Sequence, residues 1–294
     1  MAAVVASQGE NTTPSKGEGE TAAMVPPQIP SSSPPPPGSF ADVPKTLGAV
    51  EAARAFHQYG LVLVKDLLPK ELMEKGFQEA MASFEKLMAV YEERGIEKKV
   101  GTKHGFQEIV MRSPGRFEMN YGMDSGVFQD IVKGSSSPQA KFLDTFMRHT
   151  IGQDWVLRRQ SLLISFPGAE GMQWHTDGDH VSKSKHLPAH YINVFVALRD
   201  VTIEQGPTEL RPASHFLTRD LGKMMFLAKI KKRLHEPVTP EAAQGDAVIF
   251  DYRTLHRGTP NSSDRPRAML ELVFSSPRYL DLLNFPKRSI FNSG

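Results

Sequence analysis

The chain has 294 residues, 39% of them hydrophobic and 23% charged, with a formal net charge of +2. That length can bury one substantial core, and the charge is too balanced to argue for nucleic acid or an anionic membrane as a partner. It contains no cysteine, which excludes disulfides, thiolate metal sites and a cysteine nucleophile.

Residues 1–40 hold 8 of the 22 prolines, including PPPP at 34–37, with much Ser, Thr, Gly and Glu. Such a segment buries too little apolar surface to offset the entropy of ordering it. A disordered tail is therefore predicted over 1–43; a polyproline ligand for a partner domain is the functional alternative. The first residues lack a basic n-region, and residues 1–40 contain no Arg and three Glu. Neither a signal peptide nor a mitochondrial presequence is expected. No apolar run approaches the ~18 residues of a membrane span. A cytosolic protein is the expectation.

One domain is expected over 44–294. A helix is predicted over 47–59, ending at Gly60, and LVLV at 61–64 reads as a short buried strand. Over 69–91, Met73, Phe77, Met81, Phe84, Met88 and Tyr91 recur at three- and four-residue spacing, the signature of a helix with one buried face. Residues 101–125 are rich in Gly and charge and read as loops with a short strand near Glu108–Met111. A helix is predicted over 138–150. From about 156 the texture changes to short strands, at 161–166, 191–198, 246–250 and 268–274, separated by Gly and Pro. A helix around 218–235 interrupts them. Helices followed by many short strands predict an α+β chain whose second half is a jelly-roll barrel.

The chemistry-bearing residues lie in that second half. WHTDGDH at 174–180 contains His175 and Asp177, which a strand would present on one face. His256 lies 81 residues on, at the end of a predicted strand, and Arg267 a further 11 residues on. Two imidazoles and one carboxylate leave three positions of an octahedron open, the arrangement of non-haem Fe(II) oxygenases; a bidentate 2-oxo acid and O2 would take them. Arg267 would grip the far carboxylate through two parallel hydrogen bonds. The tripeptide HTD alone is weak in a chain with 10 His; the conjunction carries the argument. Arg265, in the turn SSDRP, is the competing arginine and reads as solvated. His180 and His215 read as loop residues and not as ligands. Gln173 and Asn193 are further candidates for touching the co-substrate, with hydrogen bonding to a ligand as the equal alternative. Trp174 should face away and pack.

These strings resemble the phytanoyl-CoA dioxygenase-like family of Fe(II)/2-oxoglutarate oxygenases over roughly 45–290. FHQYGLVLVKDLLPKELMEK at 56–75 is similar to the family's opening helix, strand and helix. INVFVALRDVTIEQGPTELRPASH resembles its strand pair and turn. GDAVIFDYRTLHRGTPNSSDRPRAML carries the third ligand and the arginine. The resemblance implies a double-stranded β-helix with flanking N-terminal helices, and iron(II), 2-oxoglutarate and O2, with ascorbate as reductant in vitro. It implies hydroxylation of a C–H bond of a small molecule, with release of succinate and CO2. Halogenase relatives replace the metal carboxylate; Asp177 is present here, which favours the hydroxylase type.

Two rival functions are a catalytically silent barrel acting as a binding or scaffold module, and a Zn-dependent hydrolase, since His2Asp also suits zinc. Basic residues at Lys103, Arg112, Arg116, Lys183 and Lys185 read as solvated loop charges, with contact to an anionic substrate as the alternative. KIKKRLH at 229–235 reads as a solvated helix face.

Overall fold

The computed structural model describes residues 48–121, 128, 137–182, 184–218, 235–279 and 285–292. The tail expected over 1–43, and residues 219–234 of the expected helix, lie outside these.

Among the described residues three α-helices precede the long strand β4 (Val156–Ser165). α1 (Ala49–Tyr59) buries Ala52, Ala53 and Phe56 and stops at Gly60, whose φ of 73° is left-handed and whose N–H reaches back to the Phe56 carbonyl. That cap suits glycine, which carries no Cβ to clash in this conformation. β1 (Leu61–Val64) follows at once. α2 (Lys70–Glu93) buries Met73, Phe77, Phe84 and Tyr91 as the spacing predicts; Ala80 and Leu87 complete the stripe, while Met81 and Met88 flank it half-buried. α3 (Pro138–Thr150) starts with Ser137 accepting a hydrogen bond from the Ala140 N–H, with Pro138 in the first turn, a favourable helix start.

The strands are β2 (Ile109–Ser113), β3 (Arg116–Asn120), β4 (Val156–Ser165), β5 (Tyr191–Ala197), β6 (Thr208–Leu210), β7 (Ala247–Asp251), β8 (His256–Gly258) and β9 (Arg267–Ser275). Seven of the nine form one sheet in the order β1-β7-β5-β9-β4-β3-β2, with every pairing antiparallel. β6 and β8 form a second, small sheet. Single bridges extend it on both sides, Val238 to Leu210 and His175 to His256. This is the double-stranded β-helix that the sequence implied, with helices packed outside it.

The period of two along each strand divides the large sheet into two faces. Val62, Leu162, Ile164, Val194, Val196, Ile249, Leu270, Leu272 and Phe274 share one core with the buried faces of the helices. The Phe56 and Phe146 rings meet edge-on at 5.4 Å within it. The opposite face looks toward the small sheet. Part of it is apolar, with Leu61, Phe195, Ala197, Val248, Phe250 and Met269 in a second cluster. The remainder carries Arg116 and Glu118 of β3, Arg159 and Ser161 of β4, Asn193 of β5, and Arg267 and Glu271 of β9. The register sets Arg116, Ser165 and Arg267 in one row across three strands, and Ser161, Glu271 and Phe195 in another. β3, read as loop from sequence, is a strand whose buried face is charged.

Candidate metal centre and co-substrate cradle

His175 and His256 are a hydrogen-bonded pair across the small sheet. The His175 N–H donates to the His256 carbonyl at 3.0 Å, and the His256 N–H returns the bond at 2.9 Å. Their rings stand 4.4 Å apart. The chain around His175 forms only this single bridge, not the strand expected there. Asp177 is brought to the same point by its own main chain, its N–H donating to the Tyr252 carbonyl at 3.1 Å. Gly178 then passes so close to Tyr252 that a Cβ would lie 2.3 Å from a ring carbon. Glycine is required there by close approach.

The donor atoms of His175, Asp177 and His256 lie within 4.8 Å of one another. His256 Nε2 is 3.4 Å from Asp177 Oδ2, and His175 Nε2 is 3.8 Å from Asp177 Oδ1. Ligand atoms on one octahedral face, each about 2.1 Å from a divalent ion, sit roughly 3 Å apart; a small inward movement meets that condition. In both imidazoles Nδ1 lies against a carbonyl two residues back, Gln173 O at 2.8 Å and Thr254 O at 3.0 Å. Those carbonyls accept only from an N–H, so the proton is on Nδ1 and the Nε2 lone pair faces the gap, the tautomer a metal ligand needs. Burial pushes the His256 imidazole below its ordinary value, against the pull of Asp177. Asn193 points inward, as alternation predicted, and its Nδ2 donates to Asp177 Oδ2 at 2.6 Å. The site fits a divalent metal ion.

These three residues open into a cavity of about 300 Å³ that is also lined by Arg116, Glu118, Arg159, Tyr252, Arg267 and Glu271. Arg267 is buried, its Nη1 donating to the Gly206 carbonyl and its Nε finding no acceptor. Arg116 is buried beside it and donates to the Glu170 carbonyl at 3.2 Å and to the Thr259 carbonyl. Neither has a carboxylate partner among the described residues. Burial lowers Arg116 to about 10. Burial first, and then the charge of Arg116, lower Arg267 to about 9. Two unneutralised guanidiniums in one cavity fit an anion, and a carboxylate is the group their fork geometry matches.

Several side chains fall outside this arrangement. The Gln173 side chain is exposed and does not line the cavity; its carbonyl, not its amide, serves the site. Trp174 faces away, between the guanidiniums of Arg211 at 4.9 Å and Arg257 at 4.7 Å. Arg265 is exposed against Asp264. His215 is buried beneath Gly60, and His180 bonds Thr218 at 3.0 Å. Arg112 and Arg116, grouped in the sequence with solvated loop charges, both line the cavity. Glu118, Arg159 and Glu271 were not singled out at all. The signal that could have found them is charge recurring on one face of a strand, two positions apart in Arg116 and Glu118 and four apart in Arg267 and Glu271.

The profile of the phytanoyl-CoA dioxygenase (PhyH) family matches residues 56–269, about three-quarters of the chain. The chain belongs to this family of iron(II)- and 2-oxoglutarate-dependent oxygenases and is a dioxygenase. It is 26% identical over 244 residues to "Dioxygenase af480" of Aspergillus fumigatus, covering 82% of this chain and 71% of that one. It is 27% identical over 146 residues to ectoine dioxygenase of Halomonas elongata, a match spanning 42% of this chain and 43% of that protein. Among solved structures, AviO1 from Streptomyces viridochromogenes Tue57 superposes with a TM-score of 0.53 at 19% identity, covering 80% of this chain and 98% of AviO1. SnoN, a non-heme alpha-ketoglutarate-dependent epimerase from nogalamycin biosynthesis, gives 0.54 at 20% identity, covering 78% of this chain and 83% of SnoN. These two likenesses concern the fold. No helix among the described residues is long and apolar enough to cross a membrane.

Proposed function

We propose that His175, Asp177 and His256 hold iron(II), and that Arg267, with Arg116 beside it, holds the far carboxylate of 2-oxoglutarate while a C–H bond of a small molecule is hydroxylated. The observation that carries this reading is the pair of imidazoles whose Nδ1 protons are tied to carbonyls, leaving both Nε2 atoms facing Asp177. Iron(II) and 2-oxoglutarate, when bound, supply the oxidising chemistry, consuming O2 and leaving succinate and CO2 alongside the hydroxylated product.

The chain's own residues do the rest. The paired backbone bonds between His175 and His256 set the spacing of the two ring ligands. Asn193 holds one oxygen of Asp177, which fixes the carboxylate plane. The two arginines orient the co-substrate and neutralise its distal charge. Apolar Leu163, Phe195 and Met172 also line the cavity.

The test is succinate release from 2-oxoglutarate, measured with added iron(II) and ascorbate and again with zinc(II). Release with iron only, abolished in His175→Ala and Asp177→Ala, is expected. Equal activity with zinc, or normal release by either variant, would reject the assignment.

A further inference from the structure

Beyond the His175–Asp177–His256 triad and the two arginines, the cavity contains a second polar cluster that the chemistry above does not use. Glu118 and Glu271 face each other across Ser161, whose single hydroxyl lies 3.2 Å from Glu118 Oε1 and in hydrogen-bond contact with Glu271 Oε2. Arg159 lies against both acids, with Nη2 donating to Glu271 Oε1 at 3.2 Å and Nε 3.3 Å from Glu118 Oε1. Arg112, nearer the rim, donates Nε to Glu118 Oε2 at 2.6 Å.

Arg112 donates to Glu118 Oε2 and Arg159 to Glu271 Oε1, while the one Ser161 proton can serve only one of the remaining two oxygens. Arg159 has the opposite mismatch. Arg159 Nε is buried, and its approach to Glu118 lacks hydrogen-bonding geometry, so it has no acceptor. A buried guanidinium N–H left unsatisfied is destabilising, and the Arg159 side chain lines the cavity into which the triad opens. The walls beside it are apolar: Leu163 sits between Glu118 and Met269 in register, and Phe195 beside Glu271.

We propose that Arg159, clamped between Glu118 and Glu271, is the substrate-recognition group, and that it takes a neutral oxygen acceptor, a carbonyl or ether-type oxygen on a mostly apolar skeleton. This rests on the proposed oxygenase reading and names its substrate class. The charge of Arg159 is already faced by two carboxylates within 3.3 Å. A substrate carboxylate at Arg159 would be a third anion in that space, and like charges repel strongly in a cavity of low dielectric. A substrate ammonium would be a third cation beside Arg112 and Arg159, whose two charges already match those of Glu118 and Glu271. A neutral oxygen meets the free donor without either penalty. The crowding is visible in Glu271: burial chiefly, with Glu118 and Asp177 adding to it, raises its carboxyl to about 7 despite Arg159.

The experiment uses the full chain loaded with zinc(II), which prevents turnover, and with 2-oxoglutarate, at about pH 8 so that both acids are ionised. Three fragments on one ring are compared by saturation-transfer NMR: cyclohexanone, cyclohexanecarboxylate and cyclohexylammonium. Cyclohexanone is expected to bind at least about fivefold more tightly than either ion. Arg159→Met is expected to weaken it about tenfold, the effect of a lost hydrogen bond to a charged group, and Arg159→Lys to weaken it less. Glu271→Gln should improve cyclohexanecarboxylate while leaving cyclohexanone unchanged, a reversal of preference that a merely structural role would not produce. If Arg159→Met does not fold, Glu271→Gln and Arg159→Lys carry the test. Cyclohexanecarboxylate binding best in the wild type, or a ranking that Glu271→Gln leaves untouched, overturns the proposal. Calorimetry of 2-oxoglutarate on the same sample separates the two readings: failure there counts against the co-substrate cradle, while the fragment ranking is read on its own.

Discussion

Arg267 and Arg116 differ in what else they hold, and their variants should differ accordingly. Arg267 makes one bond to a carbonyl and leaves Nε free, so most of its capacity is available to a ligand. Arg267→Ala is expected to raise the KM for 2-oxoglutarate by roughly 30-fold or more, the effect of removing one member of a buried charge pair, with metal affinity unchanged. Arg116 ties the Glu170 and Thr259 carbonyls together. Arg116→Ala should raise the KM and also lower the melting temperature, so a thermal scan separates the two roles. Asn193 acts one step further out, on Asp177 Oδ2. Asn193→Ala is expected to weaken metal binding about 10–100-fold; competition with a chelating dye reads this directly, and unaltered affinity would show that Asp177 needs no support. The candidate ligand motif was legible because its residue types are rare in combination. Asn193 was legible as inward-pointing, and the distance from its Nδ2 to Asp177 Oδ2 favours orienting a ligand over touching the co-substrate. Gln173 and His175 lie outside any strand, so the alternation argument did not reach the Gln173 side chain.

The junction of α1 and β1 shows how a single position serves several elements. Gly60 caps α1 in the left-handed region, and its carbonyl accepts from the Asp251 N–H and the Thr254 hydroxyl. A Cβ there would lie 2.4 Å from His215 Nδ1 and 2.7 Å from Thr254 Oγ1. Gly60→Ala is therefore expected to lose about 2–4 kcal/mol, combining backbone strain with overpacking; urea unfolding checks it, and a loss under 1 kcal/mol would mean that the His215 ring moves aside freely. Elements with a regular apolar period, α1, α2, α3, β5, β7 and β9, were read within a few residues. β3 was not, because Arg116 and Glu118 put charge where the period expects an apolar face. β6 and β8, of three residues each, are too short to carry a period. Their strand character comes from long-range pairing with each other.

Over the whole molecule, two buried groups shape the pH dependence in opposite directions. Burial lowers His215 from 6.5 to about 3. The unfolded chain takes up that proton first, so stability is lost as pH falls from 6.5 toward 3. Glu271 is raised from 4.5 to about 7, so its contribution is fully present below 4.5 and lost as pH rises through 7. Between 4.5 and 6.5 the two slopes oppose each other. Replacing either residue should expose the other: metal-free His215→Gln should gain stability relative to wild type as pH falls below 6.5, and Glu271→Gln as pH rises above 4.5. Urea midpoints taken across that range test both signs, and a variant whose difference from wild type does not change with pH would remove that group from the account.

By itself, the order of residues determined the three described α-helices, the central strands, the barrel class and a candidate ligand motif, since apolar spacing reports burial and a rare conjunction of His, Asp and Arg reports chemistry. Only tertiary structure decided what surrounds that motif. Arg116, Glu118, Arg159 and Glu271 lie on three strands separated by up to 155 residues, and only the same-face spacing of charge within a strand, as in Arg116 and Glu118, sets any of them apart locally from solvated charges. They share one cavity because antiparallel register sets them side by side on an inward face, and a polar wall inside a barrel leaves no apolar period for the sequence to display.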